Sequence, residues 1–139
     1  MALVYLDTSA LVKLCVDEPG SELAAALWDG ADVVATSRIA DTEVRATIAA
    51  GRRSGRLDPA AAQRALDAWE RLWPALHVVE VAPEIADRAA RLIACHPLRG
   101  RDALHLAAAL TLASPDLVVA AWDEHVAAAA RAEQLRVVP

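Results

Sequence analysis

Several absences narrow the problem before any motif is read. No apolar run approaches the roughly 18 residues of a membrane span, which excludes an integral helical membrane protein. The opening residues carry neither the basic start nor the small-residue cleavage site of a secretory signal. Cysteine is scarce: Cys15 and Cys95 stand alone without a CxxC pair, so both are expected to be reduced thiols of a cytoplasmic protein. His77, His96, His105 and His125 do not combine with them at zinc-finger spacing. Lysine is almost missing, with Lys13 set against thirteen arginines. A net charge of −5 argues against coating nucleic acid by bulk electrostatics. There are no internal repeats, linkers or low-complexity segments beyond alanine-rich stretches.

What is present is a globular chain. Its 139 residues are 56% hydrophobic, which suits one domain over residues 1–139 with a real core. The run Ala2 to Leu6 reads as a buried strand of a parallel sheet, and Thr8 and Ser9 open a helix with Leu11 and Leu14 at helical spacing. Ser21 is the expected N-cap of a helix over Glu22 to Trp28, and Val33–Thr36 a second strand. Ser37 is expected to cap a helix to Ala50, and Asp58 with Pro59 to start another towards Leu76. His77–Val81 is a third strand, and Pro83 starts a helix through Ile93 with Ile85, Ala89 and either Leu92 or Ile93 inward. A helix around Asp102 to Leu110, a strand Leu117–Trp122, a helix Glu124–Ala132 and a short strand Arg136–Val138 complete the chain. This alternation predicts a three-layer α/β/α sandwich around a mainly parallel sheet of four or five strands.

In such a sheet the carboxyl ends of the strands share one edge, where ligands bind. Asp7 ends the first strand and Asp123 the fourth, while Glu43 and Asp102 lie early in helices that begin just past that edge. Each has a plainer reading: Asp7 and Asp123 as N-caps, Asp102 as an acid at a helix amino end, Glu43 as a solvated helix residue. Asp41, about 160° around the helix from Glu43, is expected to face water. Four acids gathered without a lysine or histidine partner would repel one another, and hard oxygen donors of this kind select Mg²⁺ or Mn²⁺. Clustered carboxylates would also account for much of the negative charge, so a nuclease stays open.

Four anchors then carry a resemblance. Leu6-Asp7-Thr8-Ser9-Ala10-Leu11-Val12-Lys13-Leu14, Glu43 in its helix, Arg101-Asp102-Ala103-Leu104-His105-Leu106-Ala107, and Trp122-Asp123 before an alanine-rich helix occur in order over the whole chain. Each is short, but in this order they resemble the PIN-domain nucleases, in particular VapC-type toxins of bacterial toxin–antitoxin pairs. The resemblance implies that Asp7, Glu43 and Asp102 are the central metal-holding and catalytic acids, Asp123 a less constant fourth, and Ser9 a supporting hydroxyl. One departure is Ala121, where the family often has Thr or Ser two positions before the fourth acid.

Implied with it are Mg²⁺- or Mn²⁺-dependent hydrolysis of a structured RNA, a tRNA or ribosomal RNA loop, to 5′-phosphate and 3′-hydroxyl ends. Arg45, Arg52, Arg53, Arg56, Arg99 and Arg101 are the candidate phosphate contacts, since planar guanidinium groups bind phosphate bidentately. A homodimer and a VapB-like antitoxin are the implied partners. Leu66, Trp69, Trp73 and Leu76 form a stripe that reads first as core, but Leu23, Leu27 and Trp28, with Trp69 and Trp73, are also the surplus apolar residues that, if exposed together, would form a groove for an antitoxin helix. Two alternatives stand beside this reading. A catalytically silent PIN-like scaffold would keep the sheet without activity. A haloacid-dehalogenase-type phosphohydrolase also begins with a strand ending in Asp, but would want a second acid where Ser9 stands.

Overall fold

The computed structural model describes residues 1–139. Its first strand, β1 (Leu3–Leu6), is buried on both faces and runs into helix α1 (Thr8–Cys15). Next come α2 (Ser21–Gly30), β2 (Val33–Ser37), α3 (Ala40–Arg53) and α4 (Pro59–Leu72), the last followed by a 3₁₀ turn at Trp73–Ala75. The second half contributes β3 (His77–Val79), α5 (Pro83–Cys95), α6 (Gly100–Thr111), β4 (Leu117–Ala120), α7 (Glu124–Ala132) and β5 (Arg136–Val138). The five strands form one sheet in the order β3-β2-β1-β4-β5, and every adjacent pair is parallel. The architecture is the three-layer α/β/α sandwich that the alternation implies, and no helix is long and apolar enough to cross a membrane.

Alternation along β1 divides the core in two. Leu3 and Tyr5 face α5, α6 and α7, while Val4 and Leu6 face α1, α3 and α4. Alanines let the helices lie close on the sheet: Ala10, Ala40, Ala103, Ala107 and Ala130 are all fully buried. The strand order puts β1 in the centre of the sheet, so the residue that follows it emerges at the middle of the carboxyl edge.

Several boundaries shift from the sequence reading. Gly20, not Ser21, precedes α2 as its cap, because the Ser21 hydroxyl bonds back to the Val16 carbonyl and accepts the Glu18 amide. Ser37 belongs to β2, and its hydroxyl accepts the Ile39 amide in the turn before α3. β3 stops at Val79 and β4 at Ala120, which frees Trp122 and Asp123 from the ladder. On α5 it is Leu92 that turns inward, leaving Ile93 exposed.

The proposed apolar groove is the larger correction. Trp69 is fully buried, and Trp73 packs on it with ring centroids 5.4 Å apart. Leu27 and Trp28 are half-buried against the same core, and only Leu23 is exposed, at 37%. These side chains pack on the core that α1, α3 and α4 form with the sheet. Asp41 is partly exposed to water, yet it also accepts the Trp69 indole N–H at 2.8 Å and the Arg45 guanidinium at 2.9 Å.

Trp69→Ala should therefore cost about 3–5 kcal/mol of unfolding free energy, the range for emptying a large aromatic site. Urea denaturation of the two proteins measures it, and a loss under 1 kcal/mol would mean that the site collapses without a cavity.

Candidate active site

Asp7 leaves β1 in extended conformation and caps α1. Its backbone amide is held 3.5 Å from the Ala120 carbonyl, tying it to β4. One carboxylate oxygen, Oδ1, accepts both the Ser9 hydroxyl at 2.6 Å and the Ala10 amide at 3.0 Å. Oδ2 takes no hydrogen bond from the protein, yet no buried oxygen is left unpaired in the structure, so Oδ2 is open to the cavity that Asp7 lines. Desolvation raises the Asp7 pKa above the ordinary aspartate value, against the lowering pull of Ser9, His105 and the Ala10 amide. Capping and candidate chemistry are thus compatible, since they use different oxygens.

Glu43 stands in the first turn of α3. Its Oε1 accepts the Thr8 hydroxyl at 2.7 Å and lies 2.7 Å from His105 Nε2, while Oε2 is 3.8 Å from Arg101 Nε. Burial pushes its pKa up, but the His105 and Thr8 hydrogen bonds, with further electrostatic pull from His105 and Arg101, outweigh this, so the net shift is downward. Asp102, in the first turn of α6, is buried and gripped by Arg99 through Nε at 2.7 Å and Nη2 at 3.4 Å. Asp123 caps α7, Oδ1 accepting the His125 and Val126 amides, and its Oδ2 lies 3.8 Å from Arg99 Nη2.

These four acids line one cavity of about 520 Å³, with Ser9, Thr8, Lys13, Glu18, Arg56, Arg99, Arg101 and His105 among the other walls. No three acid or histidine side chains close on a common point tightly enough to enclose an ion. Arg99 and Arg101 act as the counter-charges instead, and both are more than half exposed. Of the other arginines singled out by sequence, Arg56 lines the cavity and Arg45, Arg52 and Arg53 do not. Arg45 is taken up by Asp41 and Glu70.

The expectation of acids without a histidine or lysine partner is overturned. His105 is buried, with Nδ1 2.7 Å from the Tyr5 hydroxyl and Nε2 within reach of both Glu43 and Thr8. Burial drives the Tyr5 pKa well above its usual value, so the hydroxyl keeps its proton and can donate it to Nδ1. A proton on Nε2 then serves Glu43, and the imidazole fixes that carboxylate's position from beneath. The signal was available: His105 follows Asp102 by three residues, one helical turn, and so shares its face. Thr8 beside Asp7 and Lys13 further along α1 were the other members missed.

A parallel α/β/α sandwich with an acid-lined cavity at the carboxyl edge of its central strands defines a class, the fold of the PIN type. The chain belongs to the PIN domain family, whose pattern matches residues 4–132. Within that family it is 46% identical over 139 residues to Ribonuclease VapC45 of Mycobacterium tuberculosis strain CDC 1551, covering all of this chain and 96% of the relative. The same figures hold for Ribonuclease VapC49 of strain H37Rv. Among solved structures, FitAcB from Neisseria gonorrhoeae superposes with a TM-score of 0.73 at 19% identity, over 98% of this chain and 96% of that one. Mycobacterium tuberculosis VapC20, a sarcin-ricin loop cleaving toxin, gives 0.68 at 20% identity, over 91% and 94%. A phosphohydrolase of the haloacid-dehalogenase type is set aside by this kinship.

The raised Asp7 pKa makes its ionised form a burden on the metal-free protein. That group favours the fold below its unfolded value of 3.8, and the contribution is lost as pH rises through the higher folded value. Asp7→Asn keeps an acceptor for Ser9 and the Ala10 amide but removes the charge. The variant should melt above the wild type at pH 7 without metal, and the difference should shrink towards zero below about pH 4. Differential scanning calorimetry at both pH values checks it; a lower Tm at pH 7 would show the charge to be already compensated.

Proposed function

We propose that the protein is a metal-dependent endoribonuclease that cuts a structured RNA, a tRNA or ribosomal RNA loop, as the toxin of a type II toxin–antitoxin pair. The observation that carries this reading is the gathering of Asp7, Glu43, Asp102 and Asp123 in one cavity rimmed by cationic side chains. Its support from kinship is the full-length similarity to two proteins named ribonucleases.

The donor set fits the cofactor. It consists of hard carboxylate oxygens with no thiolate, which suits Mg²⁺ or Mn²⁺, and the open Oδ2 of Asp7 is an unsatisfied, partly desolvated acceptor. Asp7, Glu43 and Asp102 would hold the ion, with Asp123, the most exposed of the four, the outermost candidate. When bound, such an ion supplies Lewis acidity toward the phosphate and a water acidified for attack.

The chain's own residues do the remaining work. Ser9 and the Ala10 amide hold the Asp7 carboxylate in one rotamer, so its free oxygen presents a fixed direction. Thr8 and His105 do the same for Glu43. Arg99 and Arg101 neutralise the acids in the resting protein, and their exposed guanidiniums are placed to exchange a carboxylate for the phosphates of an arriving strand. Two roles thereby fall to one pair of arginines: screening the acids and admitting the anionic substrate.

An antitoxin partner and a homodimer belong to the same proposal. The fold neighbours include the toxin-antitoxin complex of Klebsiella pneumoniae and VapBC-1 of Haemophilus influenzae, and the assembly named there is the model for a VapB-like partner here. Its action would be cytoplasmic, where the RNA is.

Cleavage should require Mg²⁺ or Mn²⁺, stop in EDTA and leave 5′-phosphate and 3′-hydroxyl ends. End-group analysis of the fragments checks this, and a 2′,3′-cyclic phosphate would sink the hydrolytic scheme. Asp7→Asn should lower the rate roughly a hundredfold or more, because the lost charge stabilisation amounts to several kcal/mol and each 1.36 kcal/mol is tenfold. Wild-type turnover by that variant would remove Asp7 from the site.

A further inference from the structure

The wall of the cavity on α1 carries the chain's only lysine, and its surroundings are unlike those of a solvated surface cation. The Lys13 side chain is 12% exposed, whereas Arg99 and Arg101 on the α6 side are 59% and 56% exposed. Its ammonium lies 5.0 Å from the centroid of Trp122, whose ring immediately precedes Asp123 in sequence. Cation–π attraction of this kind strengthens as the pair is desolvated. Glu18 accepts one hydrogen bond from Nζ at 3.1 Å. An ammonium has three donors, and no other protein group accepts from Nζ, although both Lys13 and Glu18 line the cavity.

The loop between α1 and α2 is folded down to make this seat. Ser21 N–H donates to the Glu18 carbonyl, and Ser21 Oγ accepts the Glu18 amide while bonding to the Val16 carbonyl. Gly20 stands at φ +94°, and a Cβ there would come within 2.8 Å of both Lys13 Cε and Trp122 Nε1. A side chain is therefore absent at the one point where the loop crosses the lysine. The cost of ordering a long flexible chain is met in advance, leaving a cation of fixed position with donors to spare.

We propose that Lys13 is a substrate-anchoring residue, contacting a backbone phosphate of the RNA on the α1 wall, opposite the Arg99–Arg101 wall, while Glu18 tempers its charge. This deepens the ribonuclease reading and rests on it. Six residues separate Lys13 from Asp7 on α1, about 9 Å along the helix axis at 1.5 Å per residue, so the lysine holds the strand beside the acids and does not take part at the reacting bond. Guanidiniums on one wall and a clamped ammonium on the other would keep the strand across the acids between them.

The probe is a labelled single-stranded RNA of mixed sequence, with binding measured in the Asp7→Asn background to prevent cleavage, and turnover measured in the otherwise wild-type protein. Lys13→Met retains much of the apolar stem that packs on Trp122 and removes the charge. It should weaken binding about fivefold at low salt and reduce the dependence of log Kd on log salt by about 0.7, the value for one phosphate contact on a single strand. KM should rise with kcat within about twofold, and Mn²⁺ affinity should not change. Glu18→Gln should act in the opposite sense, tightening RNA binding. An unchanged Kd and salt slope in Lys13→Met would overturn the proposal. So would Glu18→Gln weakening RNA binding, because that marks the pair as a structural clamp only; this arm decides the matter if Lys13→Met does not fold. Failure of the wild-type protein to bind or cleave any RNA with Mg²⁺ or Mn²⁺ is a separate outcome, which removes the ribonuclease reading and this proposal with it.

Discussion

The desolvation of Asp7 is the constraint around which the site is arranged. A carboxylate at the end of a central strand loses water on nearly all sides, and an ionised acid in that position is costly unless hydrogen bonds or a cation compensate. Here two bonds reach Oδ1, and neither reaches Oδ2. Three further acids at the same edge raise the demand for positive charge, and the protein meets it locally. Arg99 serves Asp102 and Asp123, Arg101 stands by Glu43, and Lys13 lies on the α1 wall. A net charge of −5 therefore coexists with a cationic rim.

Helix ends contribute to the same balance. Asp7 and Asp123 cap α1 and α7, while Glu43 and Asp102 sit in the first turns of α3 and α6. Each acid is thus placed in the positive end of a helix dipole, worth a few tenths to about 1 kcal/mol where exposed and more where partly buried. For α1, α3 and α7 this follows from topology: in a wholly parallel sheet with helical crossovers, the helices that follow the strands begin at the edge where the strands end. Helix α6 instead follows α5 and runs back from that edge to lead into β4. The acids and the dipoles that favour them are brought together by one arrangement of the chain.

Below the acids, the Tyr5–His105–Glu43 chain joins the floor of the cleft to the core. Tyr5 belongs to the buried face of β1, and His105 to the face of α6 that packs on it. Positional precision at Glu43 is thereby inherited from the packed interior, where displacement is resisted by close contact on every side. Such support limits the freedom of a carboxylate that must hold one direction.

Composition and pattern alone settled the element order. Buried parallel strands are short unbroken apolar runs and the helices between them show their own period, so the sandwich was legible from the sequence. The differences lie mainly at element ends: serine hydroxyls taken up in turns before α2 and α3, and strands β3 and β4 that stop short of the ends of their apolar runs. Asp7, Glu43 and Asp123 were legible as candidates because each lies at or just past a strand-to-helix junction, and Asp102 because it stands in the first turn of a helix with a leucine stripe; both are local properties. What sequence could not decide was pairing across the fold. Trp69 and Trp73 form a stripe that serves a core or a partner surface equally well by spacing, and only the packing of α4 against α3, with Asp41 taking the indole N–H, placed Trp69 inside. His105 gave a one-turn spacing from Asp102 but no hint of Glu43, 62 residues earlier, as its partner. Likewise Lys13 and Trp122 are neighbours only because β1 and β4 are adjacent in the sheet. Hydrophobic period and junction chemistry are local and can be read along the chain; counter-charges and partners are set by which strands pair, which no single stretch encodes.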